Sequence, residues 1–262
     1  MTQASRTALV TGSSRGIGRA TAVVLARRGV RVVLAARGRE DLQDAATEVA
    51  AAGPEPRVET CDFGDPAAIR GLFERLSSAA LSPDILVNNA GIARIATFGD
   101  VDDEEWQRNW EVNVMSAVRC CRLALPGMVE RGWGRVVNVS SSAGKRPSAR
   151  WAAYAPTKAA LQGLTVVLAD ELRGTGVTVN AVCPGPIRTS LWTAETGLWS
   201  SIARSGEGRE EAVSRLGSGL AAGRMGEPDE VAEAISFLCS ESASWVHGAV
   251  LSVDGGSVRM VV

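Results

Sequence analysis

The run Thr7-Ala8-Leu9-Val10-Thr11, followed by Gly12-Ser13-Ser14-Arg15-Gly16-Ile17-Gly18, constrains this chain more than any other stretch. A short uncharged run that stops at a glycine reads as a buried strand. The residues beyond it, through Leu25 to Arg28, carry helical spacing. Glycines let a backbone turn sharply and approach another group closely. A helix N-terminus offers unpaired N–H groups and a partial positive charge. Strand, glycine turn and helix in that order predict a pyrophosphate cradle rather than a plain turn. On this reading Gly12, Ser14, Arg15, Gly16, Ile17 and Gly18 border a dinucleotide. Further strand-like runs at 30–36, 57–61, 84–87, 135–139, 177–182 and 249–253 alternate with helical stretches. That alternation predicts one α/β domain over 1–262, a seven-stranded, doubly wound parallel sheet of Rossmann type flanked by helices.

The second strand ends Ala36-Arg37, with no acid to hold a ribose 2′-hydroxyl. A 2′-phosphate attracts a guanidinium, and Arg15 can supply a second one. NADP(H) is therefore expected over NAD(H). A net charge of -1, with no Lys/Arg block, predicts neither a nucleic-acid nor a membrane partner. The five cysteines have no Cys-x-x-Cys spacing and His247 is the single histidine. That pattern predicts no metal site and suits a reducing, cytoplasmic setting. Met1 to Thr7 is polar, and no apolar run reaches transmembrane length.

Tyr154 and Lys158 stand four apart, one above the other on a helix face, and Tyr154 is the only tyrosine. A phenol titrates near pH 10, and a neighbouring ammonium favours its phenolate. Such a pair can pass a proton to or from a carbonyl oxygen. Pro156 suits the first turn of a helix, so regular helix is expected no earlier than about Trp151. Upstream, Asp102 to Arg131 reads as a long helix with Trp106, Trp110, Val114 and Val118 facing the core, divided or kinked at Pro126. Asn113 lies within this stripe, where an amide needs hydrogen-bond partners. The fifth strand ends in Ser140-Ser141-Ser142, at the edge where ligands of open parallel sheets collect. Asn88-Asn89-Ala90-Gly91 follows the fourth strand; its amides can brace a loop, and its small residues leave room for a cofactor. Pro184-Gly185-Pro186 makes a rigid turn after the sixth. From about 190 to 223 no strand pattern appears, and Leu191, Trp192, Leu198 and Trp199 suggest a lid over an apolar substrate, or packing on the body or on another subunit.

Thr-Gly-x-x-x-Gly-x-Gly, Asn-Asn-Ala-Gly and Tyr-x-x-x-Lys together resemble the short-chain dehydrogenase/reductase family over essentially the whole chain. They are similar in particular to 3-oxoacyl-acyl-carrier-protein reductases. The resemblance implies that Tyr154 protonates the substrate oxygen and that Lys158 lowers the Tyr154 pKa and binds the nicotinamide ribose. It selects Ser141, thirteen positions before the tyrosine, as the hydroxyl that bonds the substrate oxygen, leaving Ser140 to bond locally. It implies an ordered water held at Asn113. It places Asp62 and Phe63 at the adenine, although Asp62 can equally be an N-cap or turn residue before the Pro66 helix. Asn89, Ala90 and Gly91 would support the adenine half-site. Pro184 and Gly185 would pack on the nicotinamide, with Ile187 and Thr189 bonding its carboxamide. The expected partner is a small carbonyl or alcohol, an acyl thioester included, although Thr175 replaces an arginine common in the acyl-carrier enzymes. A homotetramer built through the last elements is also implied. The alternatives are an NAD-dependent alcohol dehydrogenase and a non-catalytic dinucleotide sensor.

Overall fold

The computed structural model describes residues 6–259, so the first five residues of the polar start lie outside it. Seven strands form one parallel sheet in the order β3-β2-β1-β4-β5-β6-β7. They are β1 (Thr7–Thr11), β2 (Arg31–Ala36), β3 (Arg57–Thr60), β4 (Ile85–Asn88), β5 (Gly134–Val139), β6 (Val177–Pro184) and β7 (Val250–Val253). Every residue of β1, β4, β5 and β6 is buried, as a parallel sheet covered on both faces requires. The helices are α1 (Gly16–Arg27), α2 (Arg39–Ala52), α3 (Pro66–Ser78), α4 (Asp103–Trp110), α5 (Ser116–Glu130), α6 (Ser142–Lys145), α7 (Tyr154–Glu171), α8 (Ser190–Thr193), α9 (Arg209–Ser218) and α10 (Pro228–Leu238). On one face Leu25, Leu42, Val49 and Ile235 pack on Val10, Leu34 and Val87. On the other, Ile69, Leu72, Cys120 and Met128 pack on Leu9, Leu86 and Val136. Alternate residues of the five central strands thus feed two cores. Among the described residues no helix is long and apolar enough to cross a membrane.

Two readings of the long helical stretch are corrected. Pro126 lies inside α5 and does not divide it. The interruption is instead a π-helical turn at Glu111–Met115, centred on Asn113. One extra residue in that turn rotates the face presented to the core. Of the expected stripe Val114 is buried, Trp106 and Val118 are half-buried and Trp110 is exposed, while Asn109, Asn113, Ser116, Ala117, Cys120 and Cys121 are buried beside it. Helix α7 begins at Tyr154, with the Ala155 N–H donating to Trp151 O, so Pro156 falls in its first turn as expected.

The strand order reverses at β1, whose neighbours are β2 and β4. Crevices of open α/β sheets form at this switch point, beyond the carboxyl ends of the strands. Here the loop after β4 braces the glycine turn after β1. Asn89 Nδ2 donates to Thr11 O and Gly12 O at 2.9 and 3.0 Å, and Thr11 Oγ1 accepts the N–H groups of Asn89 and Ala90, both at 2.9 Å. Gly18 makes that approach possible, because a Cβ there would stand 2.4 Å from Gly12 O and 2.5 Å from Asn89 Nδ2. Gly18→Ala is therefore expected to lower unfolding stability by about 1–3 kcal/mol, as overpacking does. A denaturant titration showing unchanged stability would mean that α1 can back away from the loop.

Candidate active site

The turn between β1 and α1 is built to receive an anion. Gly12 and Gly16 adopt φ of +65° and +58°, which side chains other than glycine rarely tolerate. Arg15 is the N-cap residue of α1, and no side chain caps the helix and no acid occupies its first turn. The helix N–H groups and their dipole point into a cleft of about 1480 Å³ that crosses the carboxyl edge of the sheet. Behind the turn, the buried Ser13 accepts the Ala35 N–H at 2.9 Å and fixes the loop to β2. The sequence reading passed over Ser13, whose only sign is a hydroxyl next to Gly12.

The cleft brings together Gly12, Ser14, Arg15, Gly16, Ile17, Arg37, Asp62, Phe63, Asn89, Ala90, Gly91, Ser141, Tyr154, Lys158, Pro184, Gly185, Ile187 and Thr189. Gly18 and Asn113 are not in its wall; both are buried behind it. Arg15 and Arg37 are exposed at the end next to β2. Asp41 lines the same end, an acid that the sequence reading missed because it lies past the strand, in the first turn of α2. Asp62 is a turn residue that accepts the Gly64 N–H at 2.9 Å; the N-cap of α3 is Asp65.

At the opposite end, Lys158 is buried and its Nζ donates to Val139 O at 2.9 Å, 5.7 Å from the centre of the Tyr154 ring. Burial pushes the ammonium down to about 8. It pushes the phenol up to about 12, against the opposing pull of the Ser141 hydroxyl. Removal from water is the largest influence on the phenol, and the Lys158 ammonium, whose hydrogen bond goes to a carbonyl, is not among the causes of its shift. The phenol is thus protonated throughout the neutral range. Ser141 caps α6, its Oγ accepting the Ala143 N–H at 3.1 Å.

The residues behind this group were only partly legible. Ser140 does not bond locally; its Oγ donates to Lys158 O at 2.8 Å and accepts from Gln162 Nε2 at 3.0 Å. Gln162 also reaches Ser141 O at 3.3 Å, and Gly144 is bare because a Cβ would lie 2.5 Å from that amide. Nothing in the sequence marks Gln162 except its place one turn beyond Lys158 on α7. Asn113 Oδ1 accepts the Ile92 N–H at 2.8 Å, while Nδ2 donates to Ile92 O and to Thr157 Oγ1 at 3.0 and 3.1 Å. Its side chain is therefore committed to protein partners. Gly91 keeps the space between Asn113 Oδ1 and Lys158 Nζ open.

Lys158 titrates at 10.5 when free and at about 8 in the fold, so folding disfavours its charged form. Stability is lost below about pH 8 and recovered as the pH rises from there towards 10.5. Lys158→Met is expected to melt several degrees above wild type at pH 7, with the gap closing through that window. Thermal melts at a series of pH values check this, and a gap independent of pH would contradict it.

The sequence and structure have clear relatives. A family model described as enoyl-(acyl carrier protein) reductase matches residues 12–258. A short-chain type dehydrogenase/reductase of Picea abies is 36% identical over 266 residues, covering 97% of this chain and 92% of the relative. The 3-oxoacyl-acyl-carrier-protein reductase of Escherichia coli is 36% identical over 249 residues, covering 95% and 96%. The crystal structure of L-sorbose reductase from Gluconobacter frateurii, complexed with NADPH and L-sorbose, superposes with a TM-score of 0.91 at 33% identity, over 98% of each chain. With matches of this extent to both the sequence and the sheet, the chain belongs to the short-chain dehydrogenase/reductase family.

Proposed function

We propose that this oxidoreductase is an NADPH-dependent reductase that converts a ketone to a secondary alcohol. The observation that carries the reading is a protonated, half-buried phenol at the wall of a cleft whose far end is an uncapped helix N-terminus flanked by two arginines. The glycine turn would hold the pyrophosphate, with Arg15 and Arg37 at the 2′-phosphate; Pro184, Gly185, Ile187 and Thr189 would border the nicotinamide. The bound dinucleotide supplies the hydride that reaches the carbonyl carbon. Tyr154 gives its hydroxyl proton to the carbonyl oxygen, and Ser141 donates a hydrogen bond to that oxygen as negative charge builds on it. Lys158, positively charged below about pH 8, stabilises the phenolate left behind and bonds the nicotinamide ribose. Asn113 contributes by position, holding the Ile92 loop and Thr157; a water that refills the proton would sit at the backbone of the π-turn, since the amide is taken.

Asp41 beside Arg37 favours a second reading, an NAD-dependent alcohol dehydrogenase, because a carboxylate at this end suits a free 2′-hydroxyl. The L-sorbose reductase complex with NADPH supports the first. The retained Ser141, Tyr154 and Lys158 weigh against a sensor without turnover. The segment 190–223 would act as the substrate lid. Exposed Phe237, Trp245 and Leu251 support assembly into a homotetramer through the last elements, and five free, buried cysteines suit the cytoplasm.

Two outcomes test the proposal. Tyr154→Phe should lower kcat by at least about a hundredfold while leaving the Kd for NADPH, read from cofactor fluorescence, within a few-fold. Retained turnover would refute the assignment. Arg37→Ala should weaken NADPH binding by about tenfold and leave NADH nearly unchanged, since only the former carries the phosphate a guanidinium pairs with. Equal losses for both cofactors would move preference to the NAD reading.

A further inference from the structure

The substrate end of the cleft has a chemical character of its own. Trp151 stands next to Tyr154, ring centres 5.3 Å apart and planes tilted by 48°. Trp192 meets Trp151 edge-on, at 6.2 Å and 77°. Both indoles line the cleft beside the phenol. The adjoining wall from residues 189–216 is made of Thr189, Ser190, Leu191, Ala194, Leu198, Leu216 and their neighbours, and holds no charged side chain. Of the arginines on adjoining segments, Arg150 donates to Ser201 O and Arg188 pairs with Glu210 and Glu227; Arg108 lines the cleft together with Glu104 and Glu111, from the α4 side.

The corner is also held rigidly. Ala96 N–H donates to Arg150 O at 2.9 Å and Ala152 N–H to Ala96 O at 3.3 Å, pinning the segment that carries Trp151. Trp192 is buried with Val213 and Met225, and Trp151, Leu198 and Leu216 pack against that cluster, which is separate from the two cores of the sheet. Two indoles at nearly a right angle offer a negative face and a positive edge. An aromatic ring satisfies both at once, by stacking on one and meeting the other edge-on. A flexible chain fills the same space without those contacts and loses rotamer freedom on binding. A carboxylate or phosphate would meet no cation in the wall from residues 189–216.

We propose that the substrate is an aryl ketone, its uncharged ring seated in the corner of Trp151 and Trp192 and its carbonyl at Tyr154 and Ser141. This rests on the reductase reading above and adds the substrate class to it.

The test uses the full chain with saturating NADPH and three eight-carbon ketones: acetophenone, cyclohexyl methyl ketone and 2-octanone. Comparing wild type with variant for each ketone removes differences in intrinsic reactivity. Trp151→Leu should cut kcat/KM for acetophenone by about tenfold and for the other two by less than about threefold, while Trp151→Phe should restore acetophenone to within about threefold. A saturation-transfer NMR measurement with 1-phenylethanol should show the ring protons contacting wild type and Trp151→Phe, and not Trp151→Leu. Equal losses for all three ketones, or no loss for any, would overturn the aryl assignment and leave the reductase reading standing. Ring contact in the NMR experiment without turnover of any ketone would overturn the reductase reading and leave the ring site. Neither contact nor turnover would overturn both.

Discussion

The rest of this structure depends on one hydrogen bond, from the buried Lys158 ammonium to the carbonyl of Val139 at the end of β5. A cation without a carboxylate beside it is costly to bury, and the depressed Lys158 pKa records that cost. The fold nevertheless places it there, with the bare Gly91 backbone on one side and the Tyr154 ring on the other. A position of this kind survives when it does chemistry, since nothing in packing alone favours a lone ammonium over a methionine of similar length. The phenol beside it is displaced in the opposite direction by the same burial. Two groups whose protonation is pushed apart by one environment form the pattern expected of a proton-transfer site.

The parts of the site legible in the sequence were those whose signal is local. A glycine must appear where the backbone turns with positive φ, as at Gly12 and Gly16, or where two backbones nearly touch, as at Gly18. Tyr154 and Lys158 fall on one face of one helix, so their spacing alone brings them together. The seven strands were legible because parallel strands covered on both faces read as continuous apolar runs. The illegible parts depend on contacts between distant segments. Gln162 acquires its role from Ser140, twenty-two residues earlier on another element. Asp41 enters the cofactor end through the way α2 begins, and Trp151 enters the substrate end because Ala96 pins its loop.

The π-turn at Glu111–Met115 marks the boundary between the two kinds of signal. The apolar stripe of Trp106, Trp110, Val114 and Val118 has good helical spacing and would face the core in an uninterrupted helix. Across the π-turn the stripe is broken: Val114 stays buried, Trp110 is exposed, and Asn109 and Asn113 face inward. Once inward, Asn113 finds both backbone groups of Ile92 and the Thr157 hydroxyl. The cost of burying an amide is thereby offset at both its oxygen and its nitrogen. The sequence contained a hint, a polar residue on an apolar stripe, but not the direction in which the conflict resolves.

Helix α7 is docked on the sheet by directional polar contacts as much as by apolar ones. Asn138 donates through Nδ2 to Thr165 Oγ1 at 2.9 Å and accepts through Oδ1 from Asn88 Nδ2 at the same distance, linking α7, β5 and β4 deep in the structure. Ser140 and Val139 engage the two ends of Lys158, backbone and side chain. Apolar packing tolerates small rotations of a helix about its axis, because dispersion has no preferred direction. Hydrogen bonds weaken steeply as their angles close, so a helix held by several of them has a fixed rotation and register. Tyr154 sits in the first turn of α7, where fraying would otherwise be greatest, and Thr157 secures that turn by donating to Tyr154 O at 2.7 Å while accepting from Asn113. The same arrangement leaves Asn88 Oδ1 buried without a partner, an unfavourable residue of a network laid out for geometry. Placement of one phenol to within a fraction of an ångström accounts for polar groups in a core where apolar ones would pack more favourably.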